Sequence, residues 1–154
     1  ISKALLTVVV PLAVRWAAKC ERSILENGVA LSPAQLADAR RIGVVDGKRV
    51  RLQAVEQIPW PVHPVLRAAA EATGLLSADT IGLTLRYGIF IRADHWDVRR
   101  LVVHELVHTA QYERMQGIRP FLKVYLHECL TAGYPFGSLE REARRVENEI
   151  CGVR

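Results

Sequence analysis

A chain of 154 residues, half of them hydrophobic and 24% charged, carries enough apolar material for a cored domain and excludes a disordered polypeptide. Cys20, Cys129 and Cys151 are an odd set without metal-type spacing, which excludes a disulfide scaffold and points to small buried side chains in a reducing, cytoplasmic setting. The net charge of +5 is scattered, with no helix-turn-helix or aromatic-basic pattern beside it, so nucleic acid is not an expected partner.

The chain reads as one domain over 1–154, with N-terminal helices and a first strand in 1–60 and a catalytic core in 79–150. The apolar run Ala4 to Val14 follows Lys3 and is too short to span a bilayer; its likeness to an export-signal core keeps a removed signal as the alternative to a cytoplasmic location. From Pro11, Leu12, Trp16, Cys20 and Ile24 repeat every four residues opposite Arg15, Lys19, Arg22 and Glu26, which predicts a helix closed by Gly28. Ser32-Pro33-Ala34-Gln35 is a capping box opening a helix that stops at Gly43. Lys48 to Ile58 reads as a strand. From Ile81 to Arg92, apolar residues alternate with Gly, Thr and Arg, predicting a hairpin whose second strand is Gly88 to Arg92.

The segment that carries chemistry is His104-Glu105-Leu106-Val107-His108. No Pro or Gly interrupts Asp97 to Gln116, Asp94 or Asp97 is placed to cap the start, and Gly117 with Pro120 ends the run. On a helix, His104 and His108 are one turn apart and reach a single ion, while Glu105 stands beside them, where it can polarise a water rather than ligate. Leu101, Leu106, Val107 and Ala110 supply apolar flanks that lower the local dielectric. The reaction implied is hydrolysis at a zinc site.

A catalytic zinc site needs a third protein ligand. No His follows at the spacing of three-histidine sites, so a carboxylate is expected from the helix opened by Ser138, whose stripe is Leu139, Ala143, Val146 and Ile150. At about 100° per residue, Glu142 and Glu147 each fall some 70° from the stripe centre, and Glu140 and Glu149 nearer 90°. Periodicity leaves Glu142 and Glu147 tied.

His104-Glu105-Leu106-Val107-His108 together with Glu142-Ala143 resembles the gluzincin group of HExxH metallopeptidases, in particular small bacterial zincins and the ImmA/IrrE-like proteases, over roughly residues 81–148. The resemblance implies that Glu142, directly before a small residue, is the third zinc ligand, with Glu140 as the fallback. It also implies an α+β, zincin-like fold: a small antiparallel or mixed sheet whose edge strand, over Leu85 to Ile91, packs on the motif helix and pairs with an extended peptide, followed by the third-ligand helix. The chain departs from the ImmA/IrrE-like pattern at Arg144, where Asn or Asp is usual.

Tyr134, in the loop Gly133-Tyr134-Pro135-Phe136-Gly137, is the leading candidate to stabilise the oxyanion formed at the scissile carbonyl, with Tyr112 and His127 behind it. The expectation is therefore a zinc metallopeptidase with His104, His108 and Glu142 as ligands, Glu105 as base and a peptide or protein as substrate. Its rivals are a zinc-stabilised interaction domain without turnover and a basic nucleic-acid-binding domain.

Overall fold

The N-terminal expectation is the first to change. In the computed structural model, which describes residues 3–153, α1 runs without a break through Lys3–Asn27, and Pro11 lies inside it instead of opening it. Proline there removes one backbone donor to the preceding turn. Burial of Val9, Val10, Ala13, Ala17 and Ile24 along one face offsets that loss. No helix among the described residues is long and apolar enough to cross a membrane.

α2 (Pro33–Ile42) follows its sequence signals closely. Ser32 Oγ accepts from the Gln35 amide at 3.2 Å, the Ser32 amide donates to Gln35 Oε1 at 2.9 Å, and Gly43 closes the helix at φ 105°. α3 (Pro64–Thr73) is an element the sequence analysis does not single out, although Pro64 stands at its first turn and Gly74 ends it in the left-handed region.

Four strands, β1 (Val29–Ala30), β2 (Arg51–Val55), β3 (Gly82–Leu85) and β4 (Gly88–Arg92), form one mixed sheet in the order β1-β2-β4-β3. β2 and β4 are parallel; the two outer pairings are antiparallel. With six helices among the described residues the class is α+β. The edge strand beside the motif helix is β3. The expected edge over Leu85 to Ile91 is thus displaced, because β4 is central and Gly88 to Ile91 are buried throughout, as an unbroken apolar run demands. Ile89 and Ile91 pack with Leu52, Val102 and Leu106, while Phe90 packs with Val9, Ala13 and Leu85, so both faces of the sheet are covered.

The β3–β4 turn places Arg86 at φ 62°, a conformation a side-chain-bearing residue adopts at a cost of about 1 kcal/mol. Glu21 on α1 holds it there. Its carboxylate accepts from Arg86 Nε (2.9 Å), Arg86 Nη2 (2.7 Å) and the Tyr87 amide (3.0 Å) while itself buried. Glu21→Ala strands the Tyr87 amide and releases the turn, so urea denaturation should show a loss of about 1–3 kcal/mol; an unchanged midpoint would mean that the turn holds itself.

α4 (Arg99–Arg114) carries the motif. Neither Asp94 nor Asp97 caps it: the cap residue is Val98, without a side-chain bond, and Asp94 is taken by Arg92 and His95. The helix start is tied instead by Arg99, which donates to both oxygens of Asp38 on α2 at 2.8 and 3.0 Å. α5 (Ile118–Thr131) begins two residues before the expected Pro120. α6 (Ser138–Cys151) is not capped by Ser138, which is its first helical residue. Glu128 of α5 takes that role, accepting from the Leu139 amide at 3.1 Å and from Ser138 Oγ, and its charge suits a helix N-terminus.

Candidate metal centre

Because α4 has no interruption over residues 99–114, His104 and His108 stand on one face, their ring centroids 5.1 Å apart. α6 lies against that face and brings Glu140 to both rings. His104 Nε2 is 3.1 Å from Glu140 Oε1, and His108 Nε2 is 2.7 Å from Glu140 Oε2. One ligand atom from each of the three residues lies within 4.8 Å of the others. Two imidazole nitrogens and a carboxylate oxygen at about 2.0–2.1 Å from one tetrahedral ion would be about 3.3 Å apart, so this donor set fits a metal ion with small side-chain adjustment.

The expected ligand Glu142 does not join them. Its carboxylate accepts from Gln111 Nε2 at 2.6 Å and from Arg114 Nη2 at 2.9 Å, and it stays 27% exposed against 5% for Glu140. The reason lies in the face that α6 buries. Apolar residues alone put its centre between Leu139 and Ile150, whereas the buried set is Leu139, Glu140, Ala143 and Glu147, a rotation of about 45°. Two carboxylates serving imidazoles turn the helix, and a pattern that counts apolar residues does not register them.

The outer nitrogens of the rings are also engaged. His104 Nδ1 is 3.0 Å from Glu147 Oε1, and His108 Nδ1 is 2.8 Å from Gln111 Oε1. Acceptors at both Nδ1 atoms hold a proton there and leave Nε2 of each ring as the atom that faces Glu140 and would ligate an ion. Glu147 is held in turn by Arg100, which donates to it at 2.7 Å, to Asn148 at 2.8 Å and to the Cys151 and Gly152 carbonyls. Arg100 is therefore part of the site's support and not a solvated helix face. Tyr125, a residue no sequence signal pointed to, donates its hydroxyl to Glu140 Oε2 at 2.8 Å.

The electrostatics of the cluster favour a positive charge at its focus. Burial alone would lower the pKa of His104, but hydrogen bonding to Glu140, the charges of Glu105 and Glu140 and the bond to Glu147 carry it up to about 9. Burial likewise opposes the charge on His108, and Glu140 with Glu105 reverses the sign. Burial would raise Glu140; its bonds to the two imidazoles hold it well below the usual carboxylate range.

Glu105 is buried beside the cluster without belonging to it. Thr84 Oγ1 of β3 lies 2.8 Å from Glu105 Oε1 and 3.0 Å from the Glu105 carbonyl. A Cβ at Gly82 would come 3.1 Å from Glu105 Oε2, so glycine is what lets the carboxylate lie against the edge strand. Tyr134, 37% exposed, borders the same space as His104, Glu105 and Glu140. Burial, then the charges of Glu140 and Glu105, push its phenol well above the usual value, so it is held as a donor. Tyr112 is spent elsewhere, its hydroxyl donating to the Thr84 carbonyl at 3.2 Å, and His127 is exposed on α5.

Above the cluster opens a cleft of about 730 Å³ bordered by Gly82, His95, Glu105, Tyr134, Arg144 and Glu147. Arg144 donates to the Pro135 carbonyl at 2.9 Å and forms no ion pair among the described residues. Other arginines of this region are held in ion pairs, Arg86 with Glu21, Arg99 with Asp38, Arg100 with Glu147 and Arg114 with Glu142. No family model, curated protein or solved structure matches this chain.

Proposed function

We propose that the chain is a zincin-like zinc metallopeptidase whose ligands are His104, His108 and Glu140, with Glu105 as the base. The observation that carries this reading is the convergence of two Nε2 atoms and the Glu140 carboxylate beside a buried carboxylate that stands outside their set. Zinc is the ion this mixture of two imidazoles and one carboxylate suits, and when bound it supplies Lewis acidity that makes water a nucleophile near neutral pH.

The residues then divide the work. Glu105 accepts the proton that water gives up on attacking a carbonyl carbon, and delivers it to the amine nitrogen as the C–N bond breaks. Thr84 fixes the carboxylate's orientation through Oε1, leaving Oε2 for that exchange. Tyr134 donates to the carbonyl oxygen as it gains charge, and Arg144, four residues beyond Glu140, adds positive potential on the same side of the cleft. An extended peptide adds to the edge strand β3 through the backbone groups that Tyr112, at the Thr84 carbonyl, leaves free, which positions the bond without reading its side chains.

Three protein ligands facing a cleft favour this over a structural site, which closes all four positions with side chains. The test is joint metal analysis and digestion of a mixed peptide library. About one zinc per chain is expected, with cleavage that stops on chelation and returns with zinc. A zinc-loaded, folded protein that cuts no peptide would leave only the binding-domain reading.

A further inference from the structure

Beside the open cleft, and sharing Gly82, His104, Glu105, Tyr134 and Glu140 with it, a second space of about 90 Å³ is lined by residues of α1, α3 and α5. His104, Glu105, His108 and Glu140 border its mouth, so whatever enters is attached to the molecule presented to those residues. Part of its wall is small, Ala13 and Ala17 from α1 and Ala69 and Ala70 from α3, beside the larger Val9, Trp16 and Leu66. Leu122 and Leu126 of α5 close a side. Most polar side chains of the wall are already paired among the described residues, Trp16 and Tyr134 being the exceptions. Thr73 bonds the Ala69 and Ala70 carbonyls, Thr84 bonds Glu105, Tyr112 bonds the Thr84 carbonyl, and Tyr125 bonds Glu140. The one buried side-chain oxygen without a partner among the described residues, on Gln53, is not part of it.

We infer that this cavity receives an aliphatic side chain of the substrate, of leucine, isoleucine or methionine size, next to the bond held at His104, His108 and Glu140, and that the four alanines set its depth. The inference rests on the proposed metallopeptidase reading for the word substrate, but not for the binding itself. A charged or amide side chain entering here loses its hydration against a mostly apolar wall. The space is smaller than the roughly 150 Å³ cavity known to admit benzene, so indole and phenol rings are too large. Glycine leaves it empty.

Two measurements decide it. In the first, 3-methylbutan-1-ol is titrated into the protein as purified and the amide resonances are followed; shifts centred on Ala13, Ala70 and Leu126 are expected, and their absence overturns the inference. Ala70→Leu fills the cavity from α3 and Ala13→Leu from α1, and in whichever of them keeps the parent's far-ultraviolet circular dichroism those shifts should vanish. In the second, zinc-loaded enzyme is given peptides that differ only at the residues flanking the cleaved bond. Leucine should exceed glycine, aspartate and tryptophan by at least about 10-fold in kcat/KM, and the filled variant should lose that preference. Cleavage indifferent to these residues overturns the inference. Alcohol binding with no peptide cleaved upholds the cavity as an aliphatic-group site and sinks the peptidase reading alone.

Discussion

Glu140→Gln should abolish tight zinc binding. The substitution swaps an anionic oxygen between two imidazoles for a neutral amide, and it also spoils the bond that Tyr125 donates at 2.8 Å. Loss of partners one shell further out costs about 10- to 100-fold in metal affinity, and a direct ligand must cost more. The neighbours grade the effect. Glu147→Gln weakens the acceptor at His104 Nδ1 and should fall within that 10- to 100-fold range, whereas Glu142→Gln, at a partly exposed position two hydrogen bonds removed from His108 through Gln111, should stay within about tenfold of the parent. Competition against a chromophoric chelator ranks all three. Weak binding in Glu142→Gln with Glu140→Gln intact would mean that α6 presents the other face to the metal.

Glu105→Gln should separate binding from chemistry. Its carboxylate is outside the ligand set, so zinc affinity should change little, while removal of the group that takes and returns the proton should lower kcat by about 10²- to 10⁴-fold. Gln preserves the shape that Gly82 admits and can still accept from Thr84, which keeps a folding defect from imitating the result. Unaltered turnover would remove Glu105 from the mechanism; turnover lost together with the metal would assign it to the ligand set.

How much of this was legible in the sequence depended on the range of the interaction. The Ser32–Gln35 box, the Gly43 stop and the pair His104/His108 are contacts within one turn, so spacing alone displays them. The hairpin's second strand was legible for the same reason, since Gly88 to Arg92 is a local run. Its place in the sheet was not. Being central depends on β2, more than thirty residues upstream, arriving parallel. The face of α6 failed similarly: Glu140 and Glu147 are buried because His104 and Arg100 wait on α4, and nothing within α6 announces that. Tyr134 borders the cleft, while Tyr125 escaped notice because its partner is fifteen residues away on another helix.

The grip of Arg100 on the last turn of α6 ties the metal to the stability of the whole C-terminal segment. Glu147 and the Cys151 and Gly152 carbonyls share one guanidinium, and Glu140, two turns earlier, shares the imidazoles. An ion that gathers Glu140 and the histidines therefore binds the docked helix and not the undocked one, and by mass action stabilises docking by about 2.7 kcal/mol when free ion stands a hundredfold above its Kd. Removing such an ion would loosen α6 first, because no other helix carries one of the three candidate ligands besides α4.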